Sequence, residues 1–335
     1  MMNLPKAIFI DSKNYPPLPT SAILIPKFPP MLEISDVSRN DSISVVIAID
    51  FGTSRSGFAY AFVKNQKKIE GHTQWEEQIA PYPKTLTHIL YSPERKVIAW
   101  GWKARKQYTG LRDTNIPNAD SYKPFSDFKM LLQEGTDKTK DGPYFVSKDG
   151  RRVRDANGDG FLVLDLIADY LRELKEYAIK NITSGVTGLL EDRQIRWCLT
   201  VPAIWTNANK QLMRRAAQRA GLIGLDKDDA ERLVIVLEPE AAAIHSMKHD
   251  KGTNVSTLDQ GKCFMVVDCG GGTVDITVHE IVKHEELKEL LPPEGGCYGS
   301  TYIDRYFFEE YLPRKLTKEV VDIFRKQEYA DYLRM

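Results

Sequence analysis

Two short segments hold the residues best suited to chemistry. In Asp268-Cys269-Gly270-Gly271-Gly272-Thr273-Val274-Asp275 a carboxylate stands at each end, three glycines fill the middle and Thr273 adds a hydroxyl. Glycines let successive amides converge on one point, and the absence of side chains lets an anion come close. Asp268 and Asp275 are hard oxygen donors, suited to a Mg2+ that keeps most of its waters. Asp50-Phe51-Gly52-Thr53-Ser54-Arg55-Ser56 has the same parts in smaller measure: a strand-end carboxylate, one glycine and three hydroxyls. Facing each other across a cleft, two such turns would hold a triphosphate and its metal. A third motif, Glu238-Pro239-Glu240-Ala241-Ala242-Ala243, places a carboxylate before a proline that favours the first turn of a helix. Each motif alone reads as an ordinary turn or helix start; the three together, set between apolar runs, point to phosphate chemistry.

The elements that must position these residues follow from the pattern of apolar side chains. Ser44–Asp50 and Cys263–Asp268 are short β-branched or apolar runs that read as buried strands, each entering one of the loops. Gly57–Lys64 and Val274–Ile281 read as the strands that leave them, so a strand-turn-strand unit at 45–64 recurs at 263–282. A strand is expected at Lys96–Trp100, and Asp120–Gln133 should end in a short helix. Phe161–Asn181 carries Leu162, Leu166, Ile167, Tyr170, Leu171, Leu174 and Ala178 at helical spacing and predicts a long amphipathic helix. Strands at Gln194–Val201 and Leu233–Leu237, each followed by a helix (Asn207–Ala220 and Pro239–Lys248), complete an α/β pattern. Tyr302–Leu316 and Lys318–Leu333 read as helices. Residues 1–42 hold seven prolines and no sustained periodicity, and read as a flexible leader. The first lobe is expected over 43–225 and a partial second lobe over 226–335.

Other chemistries find less support. Lys and Arg number 46, as do Asp and Glu, so excess positive charge for general nucleic-acid binding is absent. No apolar run approaches the ~18 residues of a membrane span. The four cysteines form no C-x-x-C pair and suit a reduced, cytoplasmic location. Asp155-Ala156-Asn157-Gly158-Asp159-Gly160 begins like a Ca2+ loop, but position twelve is Leu166 instead of a bidentate Glu. His245 and His249 share a helix face without the glutamate of a zinc protease motif. Neither G-x-x-x-x-G-K-[ST] nor G-x-G-x-x-G occurs.

With these residues in view, the segments IAIDFGTSRSG, LTVPAIWTNANKQLMRRAAQRAG, VLEPEAAAIHS and VVDCGGGTVDITVHE resemble, in order, the actin-like ATPase domain of the 70-kDa heat-shock chaperones. KPFSDFKMLL, DLIADYLRELKEYA and GGCYGSTYID are closer to the divergent member-12 branch of that family. The resemblance runs from about Ser44 onward. It implies an actin-like, ribonuclease H-like α/β fold of two lobes, with mixed five-stranded sheets and the second lobe incomplete. It further implies ATP or ADP with Mg2+, and ATP hydrolysis to ADP and phosphate. Carried over by position, Asp50 and Asp268 would hold the metal waters. Gly52, Thr53, Ser54, Gly270, Gly271, Gly272 and Thr273 would line the phosphates, and Gly299 and Ser300 would lie near the nucleotide. Glu238 and Asp275 would position metal waters and the attacking water.

Three departures bear on activity. Arg105 stands where the family's catalytic lysine is expected after Gly101-Trp102-Lys103-Ala104, and an arginine stabilises charge but cannot act as a base; Lys103 or Lys106 is the alternative. Arg55 replaces a tyrosine after the first-loop hydroxyls and could pair with a phosphate or point outward. The chain stops before the family's adenine-clasping helix and peptide-binding module, so it reads as a fragment, a truncated gene model or a degenerate paralogue. A sensing module that binds nucleotide without turnover is the alternative reading, with a sugar kinase of the same superfamily behind it. Co-chaperones and clients would act through regions absent here.

Overall fold

The computed structural model describes residues 6–8, 43–66, 68–113, 118–133, 144–147, 150–154, 160–184, 190–249, 260–283 and 286–327. After β1 (Lys6–Ile8), strands β2 (Val45–Phe51) and β3 (Arg55–Phe62) form the hairpin that carries the first loop. Along β2, Val45, Ile47, Ile49 and Phe51 are fully buried while the residues between them are half-buried. That two-residue period is what a pleated strand with one face on a core must show. Short strands β4 (Glu70–Gly71) and β5 (Thr85–Leu86) pair with β3. Strands β6 (Ile89–Tyr91), β7 (Val97–Trp100) and β8 (Lys123–Phe125) make a small sheet, with helix α1 (Gly101–Asp113) between the last two. A 3-10 turn spans Phe128–Leu132. Strands β9 (Tyr144–Ser147), β10 (Gly150–Arg154) and β11 (Gly160–Leu162) form a second small sheet that runs directly into α2 (Val163–Thr183).

The second half continues with β12 (Ile195–Val201), α3 (Asn207–Arg219), β13 (Leu233–Leu237) and α4 (Glu238–His249). Then come β14 (Cys263–Cys269) and β15 (Val274–Lys283), the hairpin of the glycine loop, followed by β16 (Glu286–Glu289) and β17 (Glu294–Gly296). Helix α5 (Ser300–Tyr306), a π-helical turn at Phe307–Tyr311, α6 (Leu312–Leu316) and α7 (Lys318–Gln327) end the described chain. Thr206 caps α3, its side chain accepting from the Asn209 amide, and Gly221 after the helix takes φ +74°, a conformation that favours glycine.

Two sheets dominate. The first runs β13-β12-β2-β3-β4, with β5 also on β3; β12 and β13 are parallel to β2, and β3 is antiparallel. The second runs β1-β14-β15-β16, with β17 also on β15. The expected pair of five-stranded sheets is thus six strands and five among the described residues, and the five include a strand from the leader. Lys6–Ile8 pairs antiparallel with β14, Ala7 opposite Val266, because the outer edge of β14 offers unpaired backbone groups. Most of the leader, the acidic run Asp155–Asp159 and the His249 side chain lie outside the described residues. The first sheet also reaches past the lobe boundary expected at residue 225, since β13 pairs with β12 from Trp197 opposite Leu233 to Val201 opposite Leu237.

The main core joins β2 and β12 to α2 and α3. Leu166, Ile167, Tyr170, Leu171, Leu174 and Ala178 of α2 are all buried, as their spacing predicts. Removing one large member, as in Leu171→Ala, costs ~2–5 kcal/mol in such a core. Tyr170 also packs its ring on Phe51 and donates its hydroxyl to the Leu86 carbonyl at 2.9 Å. One core side chain thus reaches both the end of β2 and the β5 segment, the parts that frame the first loop.

Candidate functional site

The two hairpin loops meet. A Cβ added to Gly271 would run into Ser54 Oγ, and one added to Gly272 would run into Thr53 Oγ1 and Met130 Sδ. The second loop thus lies against the hydroxyls of the first, and a larger residue at position 271 or 272 would have to displace them. Gly52 is equally constrained, its Cβ position lying against the Arg55 carbonyl. Thr87 fastens the first loop from behind: its amide donates to Ser54 O at 2.9 Å and its hydroxyl to Gly52 O at 2.8 Å.

The glycine loop is oriented by α5. Gly299 N donates to Gly272 O at 3.2 Å, Ser300 N to Gly270 O at 3.1 Å, and Thr301 N to Gly271 O at 2.9 Å. The Thr301 hydroxyl adds a second bond to Gly271 O at 2.8 Å, and Gly270 N closes the turn onto Thr273 O at 2.9 Å. In a planar trans peptide the C=O and the following N–H point in opposite directions. With the carbonyls of Gly270, Gly271 and Gly272 turned to α5, the amides of Gly271, Gly272 and Thr273 face away from it. Among the described residues no backbone carbonyl accepts from those three amides. Amides left open side by side in a turn can cradle an anion. Gly299 and Ser300, expected near a ligand, use their amides to brace the glycine loop. Thr301 does the same through both its amide and its hydroxyl, a role that no local sequence signal marks.

Four carboxylates converge beside the loops. Asp268 and Asp275 are opposite one another in the β14–β15 ladder. Asp275 is buried and its Oδ1 accepts from the Ile204 amide at 3.1 Å, which ties the second hairpin to the turn after β12. Asp50, near the end of β2, takes the Thr200 hydroxyl on Oδ1 at 3.2 Å and the Lys84 ammonium on Oδ2 at 2.5 Å. Glu238 begins α4 and pairs with Lys129 at 2.6 Å. Burial pushes Glu238 up to about 7; Asp50 and Asp268 add to that and Lys129 opposes it. Asp268 is also raised, first by burial and then by Asp275 and Asp50. Asp50 goes the other way: burial works against its charge, but Lys84, Lys129 and the Thr200 hydroxyl outweigh it and hold the carboxyl below its usual range.

The cations of this cluster are two lysines that the sequence reading missed. Phe128 is buried against Phe51 and Tyr170, and the next residue in the tight turn, Lys129, is buried with it. Its side chain is only 2% exposed, with the ammonium over the rings of Phe51 and Trp205 as well as on Glu238. The turn was legible as a helical segment, but nothing local distinguishes Lys129 from a solvated lysine. Arg105 lies elsewhere, its guanidinium over the Trp102 ring. Arg55 stacks on the same ring and on Tyr82. Burial and these two arginines hold His88 down to about 4. Lys103 and Lys106 pair with Glu76 and Glu77 at the exposed surface.

A hydrated divalent ion needs only one or two carboxylates and takes the rest of its shell from water and phosphate. Among the described residues no group of three or more His, Cys, Asp or Glu is gathered for direct ligation. Asp268 suits such an ion, since it lies opposite Asp275 near the end of β14, where burial, Asp275 and Asp50 all disfavour its charge. Asp50 suits it only after release from Lys84.

The two hairpin loops meet beside a carboxylate at a helix start, and the sequence profile described as Hsp70 protein matches residues 101–286, more than half of the chain. The chain belongs to the Hsp70 family. It is 34% identical to heat shock 70 kDa protein 12A of Homo sapiens, over 87% of this chain and 48% of that protein. It is 31% identical to heat shock 70 kDa protein 12B of Homo sapiens, over 93% of this chain and 51% of that protein. These similarities support the divergent member-12 branch, and this Hsp70-family chain spans about half the length of the curated relatives it matches. A chaperone protein HscA homolog of Acinetobacter baumannii (strain AYE) is 29% identical over 86% of the chain. Among solved structures, MreB5 of Spiroplasma citri bound to ADP matches with a TM-score of 0.43 and 13% identity, over 83% of this chain and 61% of that one. Family membership and the two sheets with duplicated hairpins identify the fold as the two-lobed, actin-like α/β ATPase fold. No helix among the described residues is long and apolar enough to cross a membrane.

Proposed function

We propose that this chain is the nucleotide-binding part of an Hsp70-like chaperone, gripping the phosphates of ATP or ADP between its two hairpins and hydrolysing the terminal phosphoanhydride. One observation carries this reading: α5 consumes the carbonyls of Gly270, Gly271 and Gly272, and so presents the amides of Gly271, Gly272 and Thr273 as an anion nest against Thr53 and Ser54. Lys129 puts a desolvated ammonium beside that nest. There it stabilises charge on a transferring phosphoryl group far better than an exposed lysine could. Glu238, held up to about 7, is matched to taking a proton from an attacking water near neutral pH. Asp275, held by the Ile204 amide, fixes the second hairpin and orders water on its free oxygen. A hydrated Mg2+ entering with the nucleotide would be held by Asp268 and, once freed, Asp50, and would supply further neutralisation of phosphate charge.

The test is equilibrium binding of ATP to the full chain by calorimetry, followed by single-turnover release of phosphate from radiolabelled ATP. Binding with release is expected, and Asp268→Asn should abolish the Mg2+-dependent release. Binding without release would favour a nucleotide sensor. Absence of binding, or phosphate transfer to glycerol or hexoses in place of release to water, would overturn the assignment.

A further inference from the structure

Lys84 reaches Asp50 by a route built into the first hairpin. Asp50 faces Gly57 across the β2–β3 ladder. A Cβ at Gly57 would collide with the Pro83 carbonyl and come within 3.2 Å of Lys84 Cγ. The missing side chain is what lets residues 83 and 84 cross the ladder. The chain that follows is then fastened down: Thr85 pairs with Ser56, Leu86 with Arg55, and Thr87 bonds Ser54 O and Gly52 O. The stem of Lys84 is fixed at its base, and its ammonium rests 2.5 Å from Asp50 Oδ2. Burial works against the Lys84 charge, but Asp50, Glu238 and Asp268 together outweigh it. With Lys129 on Glu238, two ammonium groups stand among the four carboxylates, and they carry the charge of one divalent ion. The Lys84 side chain is 38% exposed, so its pairing with Asp50 is breakable and the ammonium can turn to an incoming phosphate.

We propose that Lys84 is a resident cation of the phosphate site, tethered on Asp50 and supplying charge that a divalent ion would otherwise bring, so that nucleotide binding to this chain depends only weakly on divalent metal. The proposal rests on the nucleotide reading above. The experiment is calorimetric titration of ADP and ATP into the full chain, in Mg2+ and in EDTA, for the wild type, Lys84→Met and Lys84→Arg. The expected result is a loss of less than about tenfold in wild-type affinity on moving to EDTA. Lys84→Met should lose more than about tenfold in EDTA and recover in Mg2+, since Asp50 is then free for the ion, while Lys84→Arg should behave as the wild type. A wild-type protein that binds in Mg2+ but loses more than about a hundredfold in EDTA would overturn the proposal and leave the nucleotide reading intact. So would a Lys84→Met chain with wild-type affinity in both buffers. If the wild type binds in neither buffer, the nucleotide reading itself fails and this proposal with it.

Discussion

Lys129 Nζ lies 2.6 Å from Glu238 Oε1, although 109 residues separate them in the chain. The pair joins a tight turn of the first lobe to the first residue of α4, and it sits where the raised Asp268 and the lowered Asp50 also act. Replacing Lys129 by Met leaves Glu238 among like charges. Breaking a buried pair can cost about 3–5 kcal/mol, but Glu238 already titrates near 7 and can escape by taking a proton. The expected loss of stability for Lys129→Met is therefore only about 1–2 kcal/mol by urea unfolding at pH 7. Single-turnover phosphate release should fall by about a hundredfold or more, the scale of losing a preorganised charge at the transition state. Release within about threefold of wild type in a folded Lys129→Met protein would remove the lysine from the chemistry.

Arg105 provides the contrast. Its guanidinium lies on Trp102, and the cations that act on Asp50, Asp268 and Glu238 are Lys84 and Lys129. Arg105→Ala should lose a stacking contact worth about 0.5–1 kcal/mol and leave phosphate release within about threefold of wild type. A collapse of release with unchanged ATP affinity would return Arg105 to the catalytic role its sequence position suggested.

These two side chains also show what the sequence could reveal. The loops, the strands that enter them and the helices behind them were all visible, because β-branched runs, helical spacing and glycine triplets are local signals. Val45–Phe51 and Leu233–Leu237 fold as expected for that reason. Spacing after Gly101 singles out Arg105, whereas Lys129 joins the carboxylate cluster through Phe128, which packs on Phe51 and Tyr170 from distant parts of the chain. The bracing role of Gly299–Thr301 escaped notice for a related reason. An amide facing a loop carbonyl 30 residues away leaves no mark on composition or period. Strand β1 was hidden by the prolines around it, since three residues are too few to show alternation.

Gly299→Ala tests the brace. A methyl there would meet the Gly271 carbonyl and the carbonyl carbon of Gly272, which are backbone atoms that cannot swing aside. The loop must shift, and the three amides of the nest with it. ATP affinity should fall at least about tenfold, with a stability loss of about 1–3 kcal/mol, as for other overpacked sites. Gly71→Ala is the matched control, since nothing lies within 4 Å of its Cβ position. It should bind ATP as the wild type does in the same titration. Equal affinities for the two variants would mean that the contact of α5 with the glycine loop is dispensable.

Glu240 gives a prediction that does not depend on any ligand. It is buried in the first turn of α4, and its Oε1 has no hydrogen-bond partner among the described residues. Burial, then the nearby Glu289, push it up to about 7, while a hydrogen bond with the Leu237 backbone and the Lys210 charge oppose the shift. Glu289 is itself raised by burial, with Lys210 opposing. The folded chain therefore holds a proton on Glu240 between about 4.5 and about 7 that the unfolded chain releases. Where the unfolded state binds fewer protons, stability falls as pH rises. Wild-type stability should decline across that window, with Glu238 contributing in the same direction. Glu240→Gln keeps the shape and cannot ionise, so it should match the wild type near pH 4.5 and exceed it by about 3 kcal/mol at pH 8. Urea midpoints at the two pH values measure this directly. A variant no more stable than wild type at pH 8 would mean that water or a cation reaches Glu240 in solution and satisfies its charge.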